Sequence, residues 1–291
     1  MTAAFRHIGI MGKQNQGAHE TIASVRQLII DMGLQLSVAK DIAISMRLPE
    51  SEAVEPEALG EQCDLVIVVG GDGSMLNAGR LLTDSQVPVL GINRGHLGFL
   101  TDIRPKDVRH KVAQVLEGQF TEEPRFLLSA DIIRRGKSVH KGSALNDVLL
   151  YSGAIARIIE FEVYIDRHFV CSVRSDGMIV STPTGSTAYA LSGGGPILHP
   201  HLDTIVLVPM CPHTLSSRPI CIDGNASIEL VVSSNVDHNP KVSCDGQVHF
   251  EVEPNDIISI DKKDQKLRLI HPLDHDYFHV LRTKLGWGTK L

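Results

Sequence analysis

One carboxylate, that of Asp72, stands in a glycine-rich corner directly after a fully apolar run. Leu65 to Val69 reads LVIVV, and GGDGS follows at residues 70–74. Such a run is typical of a strand buried on both faces, and glycines let the backbone turn sharply and approach a ligand closely. Ser74 is predicted to cap the helix that follows, whose free N–H groups would favour an anion.

Asp72 does not fit a passive phosphate cradle, because a carboxylate and a phosphate repel each other. Its presence indicates either a chemical task or a bound metal ion. The structural alternative is an aspartate that only stabilises a tight turn. The local sequence does not separate these possibilities.

A second segment, STPTGSTAYALSGGGP at residues 181–196, combines six Ser or Thr hydroxyls with four glycines. Hydroxyls and N–H groups at glycine turns can donate to phosphate or ribose oxygens. Residues 187–191 are predicted to form one helical turn. A flexible loop is the structural alternative, but linkers of that kind usually lack residues such as Tyr189, Leu191 and Pro196. The composition therefore favours a ligand-binding role.

Other polar residues lie beside apolar runs. Asn146 and Asp147 interrupt one such run, where a strand would favour neither residue type. Arg174 and Asp176 lie between two predicted strands, as in a hairpin turn with an ion pair, and Arg157 reads as an exposed strand residue. Taken alone, each of these groups indicates a structural role more than a functional one.

Several known signatures are absent from the sequence. It contains no G-x-x-x-x-G-K-[ST] phosphate loop, no G-x-G-x-x-G that follows a strand and opens a helix, and no G-x-S-x-G elbow of a serine hydrolase. His199-Pro-His201 and Cys211-Pro-His213 are short pairs constrained by proline, and we interpret both as structural rather than as zinc sites.

The composition is that of an ordinary globular protein. The chain has 291 residues, 43% of them hydrophobic and 21% charged, and a net charge of −6. An acidic chain gives no support to binding of nucleic acid or of an anionic membrane surface, so phosphates would be attracted by local arginines and backbone donors. Five cysteines without a C-x-x-C pair indicate reduced thiols and a cytoplasmic location. No secretory segment and no long apolar run is present, which argues against secretion and against a membrane span.

The first 118 residues alternate between strand and helix patterns, which predicts βαβ units and a mainly parallel sheet. Strands are predicted at residues 7–11, 34–38, 65–69 and 87–92, and helices at residues 22–32, up to 82 and 108–116. Residues 45–62 read as a surface loop with a short helix. The segment NRGHLGFLTDI offers three potential donor side chains, those of Asn93, Arg94 and His96.

The pattern changes after Gly118 to many short strands, which predicts a β-sandwich-like second domain. The predicted strands are residues 127–133, 145–151, 155–166, 169–173, 178–181, 205–208, 228–233, 257–261 and 267–270. Helical spacing returns at Tyr277, Leu281 and Leu285. We therefore predict an α/β domain at residues 1–118 with a Rossmann-like sheet, an all-β domain at 119–271, and a C-terminal helix at 272–291 that packs back on the first domain.

Three motifs together resemble those of the NAD kinase family: GGDGS at 70–74, ALND at 144–147 and TPTGSTAYALSGGGP at 182–196. NRGHLGFL at 93–100 and KLGW at 284–287 are similar to the bacterial branch. GGDG alone is less specific, because lipid kinases and phosphofructokinases of the same superfamily share it. The hydroxyl-rich motif that follows an Asn-Asp pair is what selects NAD kinase.

The resemblance implies the fold shared by NAD kinases and diacylglycerol kinases. It implies transfer of the γ-phosphoryl group of ATP to the adenosine-ribose 2′-hydroxyl of NAD, giving NADP. It also implies a divalent metal such as Mg²⁺, and a homo-oligomer, either a dimer or a tetramer. The sequence leaves open whether polyphosphate replaces ATP, whether NADH is used, and which residues bind the metal.

By the same resemblance, Asp72 is the general base, and it could also bind the metal. The family's substrate-binding positions are matched by Asp72, Gly73, Asn146, Asp147, Arg157, Arg174, Asp176, Thr187, Ala188, Tyr189, Ala190, Leu191, Ser192 and Gln247. Two features depart from the family pattern. Ser74 stands where threonine is common, and Arg157 occupies a variable position.

Two alternative functions fit parts of the sequence. Another kinase of the superfamily would phosphorylate a lipid or a sugar phosphate, but no apolar or basic membrane-facing segment of a lipid kinase is evident. A non-catalytic dinucleotide-binding regulator would be expected to have lost the acid of the GGDG corner, and Asp72 is present. The sequence therefore favours an NAD kinase.

Overall fold

The computed structural model describes residues 4–94, 98–153, 158–235 and 239–288. The chain divides into two compact units, one of residues 1–124 and 266–291 and the other of residues 125–265. Among the described residues, no helix is both long enough and apolar enough to cross a bilayer.

Strands account for most of the regular structure. In chain order they are β1 (His7–Gly12), β2 (Gln35–Ala39), β3 (Ala53–Val54), β4 (Leu65–Gly70), β5 (Val89–Asn93), β6 (Phe120–Arg134), β7 (Lys137–Ala144), β8 (Asp147–Tyr151), β9 (Ile159–Ile165), β10 (His168–Ser175), β11 (Gly177–Ser181), β12 (Thr204–Met210), β13 (Ile220–Asp223), β14 (Ile228–Val232), β15 (Lys241–Cys244), β16 (Val248–Glu251) and β17 (Ile257–Pro272). The α-helices are α1 (Gln16–Asp31), α2 (Lys40–Met46), α3 (Leu59–Gln62), α4 (Asp72–Leu82), α5 (Val108–Leu116), α6 (Tyr189–Ser192) and α7 (Tyr277–Leu285).

The first unit is built on a parallel sheet, as the alternation of patterns predicts. Its strand order is β3–β2–β1–β4–β5–β17, and every neighbouring pair is parallel. All six residues of β4 are buried, which explains why this strand is an unbroken apolar run. Helix α1 buries Ile22, Val25 and Ile29 at helical spacing. The predicted α/β class of this unit is confirmed.

Residues 45–62 are more ordered than the predicted surface loop. Helix α2, strand β3 and helix α3 fall in or beside this segment. Ile42 and Leu59 are fully buried, and β3 pairs in parallel with β2. The sequence did not predict these elements, because the segment is rich in prolines and acidic residues. Few apolar side chains are needed to anchor such short elements.

The second unit is mostly β structure. One sheet is antiparallel with the order β13–β12–β11–β8–β15–β16. In the other, β9 pairs antiparallel with β10 and β14, β14 pairs with β17, and β6 pairs with β7. Side chains from both sheets, such as Val148 and Leu150 in one and Phe161 and Leu230 in the other, form a single core. The predicted sandwich-like β class is confirmed.

The strand predictions differ from the structure in three ways. Four strands of the second unit were not predicted: β7, β13, β15 and β16. The sequence of β7, KSVHKGSA, is polar and largely exposed. Two separate strands were predicted where β17 runs unbroken for 16 residues through the polar residues 262–266. Strand β9 begins at Ile159, and the predicted start at residue 155 lies outside the described residues.

The predicted C-terminal helix is present as α7. The Asp276 carboxylate caps it by accepting the N–H groups of Phe278 (2.9 Å) and His279 (3.1 Å). Gly286 ends the helix with a φ of 67°, in the left-handed region that favours glycine. Residues 266–291 cluster with residues 1–124, and Lys111 forms a 2.6 Å ion pair with Asp274 just before α7.

Candidate active site

The glycine-rich corner connects β4 to α4 in the first unit. Gly71 is the N-cap residue and Asp72 is the first residue of the helix, so the prediction that Ser74 caps this helix is wrong. The N–H groups of Ser74 (2.9 Å) and Met75 (3.3 Å) both donate to the Gly71 carbonyl. The Ser74 hydroxyl packs against Gly70, where an added Cβ would approach Oγ to 2.1 Å. Gly70 is therefore required for the close approach of the first helical turn.

Two backbone amides hold the Asp72 carboxylate. The Phe99 N–H donates to Oδ2 and the Leu100 N–H donates to Oδ1, each over 3.0 Å. A Cβ on Gly98 would lie 2.2 Å from Asp72 Oδ1, so only glycine leaves room for the carboxylate there. Each oxygen keeps acceptor capacity beyond its single amide bond. Asp72 is thus a positioned carboxylate that can still accept a proton or coordinate a cation.

The segment after β5, with its three predicted potential donor side chains, supports this corner. The Asn93 amide donates to the Thr101 hydroxyl over 2.7 Å in a buried position. The Arg94 backbone N–H donates to the Gly70 carbonyl over 3.1 Å. His96 lies outside the described residues. Asn93 and Arg94 therefore bind the protein itself and hold the segment against the corner.

In the second unit, the first hydroxyls of segment 181–196 are buried and bonded internally. The Ser181 hydroxyl donates to the Asn146 carbonyl (3.1 Å), the Thr182 hydroxyl to the Leu145 carbonyl (2.6 Å), and the Ser186 hydroxyl to the Pro183 carbonyl (2.6 Å). These three hydroxyls are therefore not the ligand donors that the sequence analysis considered. The Ser181 and Thr182 hydroxyls instead fix residues 145 and 146 beside the segment.

Replacing Thr182 with valine is expected to lower the free energy of unfolding by about 1–3 kcal/mol. The hydroxyl is buried, donates to the Leu145 carbonyl and accepts the Gly185 N–H (3.1 Å), so valine leaves both backbone groups without their partner. Urea unfolding would measure the change. Thr187→Val is the matched control, because the Thr187 hydroxyl makes only a long contact of 3.4 Å with the Thr184 carbonyl. Equal stabilities of the two variants would contradict this account.

A cavity of about 300 Å³ lies next to these residues within the second unit. It is lined by Asn146, Asp147, Leu149, Tyr151, Ala188, Tyr189, Ser243, Asp245, Gly246 and His249. Tyr189 is 44% exposed, so one aromatic face is available for stacking. Among the described residues, the buried Ser243 hydroxyl has no hydrogen-bond partner. The cavity thus offers an aromatic surface, a hydroxyl and carboxylates to a polar, planar ligand.

Asp245 shapes the floor of this cavity. Asp245 and Gly246 have φ values of 54° and 63°, as expected for the two central residues of a type I′ hairpin turn between β15 and β16. The Asp245 carboxylate accepts the N–H groups of Leu145 (3.1 Å) and Asn146 (2.7 Å). One hairpin turn therefore fixes the backbone that presents the Asn-Asp pair.

Asp147 is 6% exposed and lies beside a second carboxylate. Burial, and then the negative charge of Asp245, raise the pKa of Asp147 to about 7. Between pH about 4 and 7 the folded chain therefore keeps a proton that the unfolded chain releases. Because the native state binds more protons over this range, Asp147 makes the free energy of unfolding fall as the pH rises.

Asp147→Asn is expected to remove this part of the pH dependence. Between about pH 5 and pH 8, wild type should lose about 2–3 kcal/mol more stability than the variant, since each pH unit below the raised pKa is worth about 1.36 kcal/mol. Urea unfolding at both pH values measures the difference. Asp264→Asn, at an exposed position, is the control and should follow wild type. Parallel pH profiles of wild type and Asp147→Asn would contradict the assignment.

The structure brings four predicted site residues together, since Asn146, Asp147, Ala188 and Tyr189 all line the cavity. Asp72 and the exposed Gly73 lie in the first unit. The remaining predicted residues in the described part of the second unit do not line the cavity: Arg174, Asp176, Thr187, Ala190, Leu191, Ser192 and Gln247. Arg157 lies outside the described residues.

The predicted site residues that do not line the cavity have other surroundings. Arg174 is exposed, with Nε 4.0 Å from a Glu160 carboxylate oxygen. Asp176 joins β10 to β11, which belong to different sheets, so the predicted hairpin turn is wrong at this position. Ala190 is buried, whereas Ser192 and Gln247 are exposed.

Six cavity residues were not predicted: Leu149, Tyr151, Ser243, Asp245, Gly246 and His249. They reach the cavity because β15 pairs with β8, a contact between segments about a hundred residues apart. The one sequence signal that could have indicated this arrangement is the Asp-Gly dipeptide at 245–246, which is a recognised hairpin signal.

Within the described part of the chain, two sets of side chains could hold a metal. Asp72 offers hard carboxylate oxygens of the kind that Mg²⁺ prefers. Asp102, His271 and His275 form a separate group in the first unit that combines imidazole nitrogens with a carboxylate.

Comparison with known proteins adds a family assignment to this geometry. The family model of the ATP-NAD kinase N-terminal domain matches residues 8–120, and that of the ATP-NAD kinase C-terminal domain matches residues 145–272. The chain is 57% identical over 288 residues to the NAD kinase of Ectopseudomonas mendocina (strain ymp), covering 99% of this chain and 98% of the relative. It is 56% identical to the NAD kinase of Azotobacter vinelandii, with the same coverage.

Two solved structures share the fold. Yeast NADH kinase in complex with NADH superposes with a TM-score of 0.89 at 23% identity, covering 98% of this chain and 89% of the yeast chain. The NAD kinase from Archaeoglobus fulgidus in complex with ATP gives a TM-score of 0.76 at 23% identity, covering 95% and 99%.

Proposed function

The chain belongs to the NAD kinase family and is an enzyme with that activity, and we propose that Asp72 is the base of its phosphoryl-transfer reaction. In the proposed reaction, the 2′-hydroxyl oxygen of the adenosine ribose of NAD attacks the γ-phosphorus of ATP. A new O–P bond forms, and the bond from the γ-phosphorus to the bridging oxygen breaks. ADP leaves with that electron pair, and Asp72 takes the hydroxyl proton.

The anchored carboxylate of Asp72 is the observation that carries this proposal. Amide bonds from Phe99 and Leu100 fix both oxygens, so little reorganisation is needed when a hydroxyl donates to one of them. A positioned base of this kind typically contributes about 10²–10⁴ in rate. A carboxylate that only stabilised a turn would not require Gly98 to lie close to its oxygen.

For dinucleotide binding, the proposal draws on the cavity of the second unit. Tyr189 would stack on a planar ring, while Asn146, Asp147 and Ser243 would supply polar contacts. The family resemblance extends the proposed set to Gly73, Arg157, Arg174, Asp176, Thr187, Ala188, Ala190, Leu191, Ser192 and Gln247. The bound NADH and ATP in the two structural relatives support small-molecule substrates of these classes.

Mg²⁺ is the proposed metal of the reaction. A carboxylate oxygen of Asp72 fits such an ion, because each oxygen keeps acceptor capacity beyond its amide bond. When bound with ATP, the ion neutralises phosphate charge that this acidic chain would otherwise repel. Asp72 itself holds the attacking hydroxyl in position and receives its proton.

We also propose a homo-oligomer, a dimer or a tetramer, and a cytoplasmic location. The proposed domains are residues 1–118 and 119–271, with the 272–291 helix packed on the first. The family resemblance supports the oligomer, and the absence of disulfides among the five cysteines, all of them described, supports the location. The two compact units and the two matched ranges support the domains. Sedimentation velocity would decide the oligomeric state.

The proposed reaction is tested by incubating the pure protein with ATP, Mg²⁺ and either NAD or NADH, and coupling the product to an NADP-specific dehydrogenase. We expect ATP-dependent formation of NADP or NADPH. Parallel reactions with a diacylglycerol and with a sugar phosphate as acceptors should give no product. Phosphorylation of either of these acceptors without formation of NADP or NADPH would contradict the proposal.

A further inference from the structure

A partly buried group of metal-ligating side chains lies in the first unit outside the glycine-rich corner. Asp102 follows the segment after β5, His271 is in the last part of β17, and His275 precedes α7. One ligand atom from each residue lies within 4.8 Å of the others. His271 is only 2% exposed, so the group is not a chance arrangement of mobile surface side chains.

The two imidazoles of this group aim at one carboxylate oxygen. His271 Nδ1 is in close contact with Asp102 Oδ2, and His275 Nδ1 lies 3.1 Å from the same oxygen. A ring nitrogen that points its lone pair at a carboxylate would be repelled, so each contact requires a hydrogen or a cation between the two atoms. A proton fits both contacts as they stand, and a metal ion can replace it when the ligand atoms move apart.

Glu123 is placed to orient His271 toward a metal ion. Its Oε2 lies 3.1 Å from His271 Nε2, on the opposite side of the ring from Asp102. Metal-ligating histidines commonly donate their second ring N–H to a carboxylate, which fixes the tautomer and leaves the other nitrogen for the metal. His271 places Nε2 3.1 Å from Glu123, without the geometry of a hydrogen bond, and Nδ1 against Asp102.

Three atoms of the group have unused bonding capacity. Among the described residues, Asp102 Oδ1, His271 Nε2 and His275 Nε2 are buried without a hydrogen-bond partner. An unpartnered carboxylate oxygen is costly when buried. A cation coordinated by Asp102 would remove that cost.

An open cavity of about 550 Å³ gives access to the group, since Asp102 and His275 both line it. Its two flexible cationic side chains are paired with carboxylates of the same cavity. Lys111 lies 2.6 Å from Asp274, and Arg104 lies 3.2 Å from Asp107. The path to Asp102 is therefore not blocked by an unpaired positive charge of these two residues.

We propose that Asp102, His271 and His275 bind one divalent transition-metal ion of the Zn²⁺ class. Two imidazole nitrogens and one carboxylate suit Zn²⁺ or Co²⁺ better than Mg²⁺, and a water molecule from the cavity would complete four-coordination. The two rings stack with centroids 4.0 Å apart. They must open for one ion to reach both, and His275, the more exposed ring, is the one expected to rotate. The ion would tie the end of β17 to the segment after β5.

Binding is tested on the full-length protein after treatment with a chelator, by titration with Co²⁺ and then Zn²⁺. We expect one ion per chain, a visible absorption band of four-coordinate Co²⁺, its loss on addition of Zn²⁺, and a higher melting temperature with metal. Because these readouts use the wild-type chain, they do not depend on the folding of any variant. Absence of stoichiometric binding would overturn the proposal.

Three variants locate the ion. His275→Gln should weaken binding by more than about 100-fold, and Glu123→Gln by about 10–100-fold, the usual cost of losing a histidine's supporting carboxylate. His279→Gln is the matched control, because His279 lines the same cavity and is not in the ligand group, and its affinity should equal that of wild type. Equal affinities of His275→Gln and His279→Gln would place the ion elsewhere and overturn the proposal.

Discussion

Asp72→Asn is expected to lower kcat by about 10²–10⁴ while the affinity for NAD stays within about threefold of wild type. Asparagine keeps the size of the side chain but cannot take the proton of the ribose hydroxyl. One of its two amide contacts with Phe99 and Leu100 is also lost, because an NH₂ group cannot accept it. That loss should cost only about 1 kcal/mol of stability. Steady-state kinetics, calorimetric titration with NAD and a melting curve measure the three effects.

Asp264→Asn is the control for the loss of one negative charge, because Asp264 is exposed in the second unit. It should retain wild-type kinetics. NADP production by Asp72→Asn at a near-wild-type rate would exclude Asp72 as the base. If the melting curve showed that Asp72→Asn no longer folds, Asp72→Ser would be measured in its place.

Gly98→Ala is expected to lower kcat/KM by about 100-fold, although the residue carries no functional group. The added Cβ would lie 2.2 Å from Asp72 Oδ1 and 2.3 Å from Thr101 Oγ1, so the carboxylate or the segment after β5 must move. A displacement of about 1 Å in a reacting group can cost about 10² in rate. Overpacking should also lower the free energy of unfolding by about 1–3 kcal/mol. Coupled kinetics and urea unfolding measure both effects.

Gly71→Ala is the stability control in the same corner. A Cβ there meets no atom within 4 Å, and its φ of −115° suits any residue. Its free energy of unfolding should match that of wild type. If Gly98→Ala matched wild type in both rate and stability, the close packing of Asp72 would not matter for the reaction.

Local patterns were sufficient where one segment determines its own structure. Five aliphatic residues predicted β4 because a strand buried on both faces needs no alternation. Alternating residues predicted β9, in which Ile159, Phe161 and Val163 are buried and Glu162 is exposed. Gly286 predicted the end of α7 because the helix stops in a left-handed conformation.

Local patterns failed where backbone groups or distant segments decide the outcome. The amides that hold Asp72 belong to Phe99 and Leu100, whose side chains give no sign of this role. Ser74 is a residue type that favours the N-cap, but the extended Gly71 caps the helix three residues earlier.

For the same reason, the sequence did not predict the two groups of site residues that are formed by pairing between distant segments. Asp245 reaches the Asn-Asp pair only through the pairing of β15 with β8. Asp102 and His271 are 169 positions apart in the sequence, so no short ligand-spacing motif could predict that they lie together. Such contacts follow from the sheet topology rather than from any motif.

Single-turnover transfer from γ-labelled ATP to enzyme already saturated with NAD tests the role of Asp72 most directly, because it separates the chemical step from substrate binding and product release. We predict that wild type transfers the label to the 2′-oxygen of the adenosine ribose, and that Asp72→Asn makes the same product about 10²–10⁴ times more slowly. Equal single-turnover rates for the two proteins, or label at another oxygen, would contradict the account.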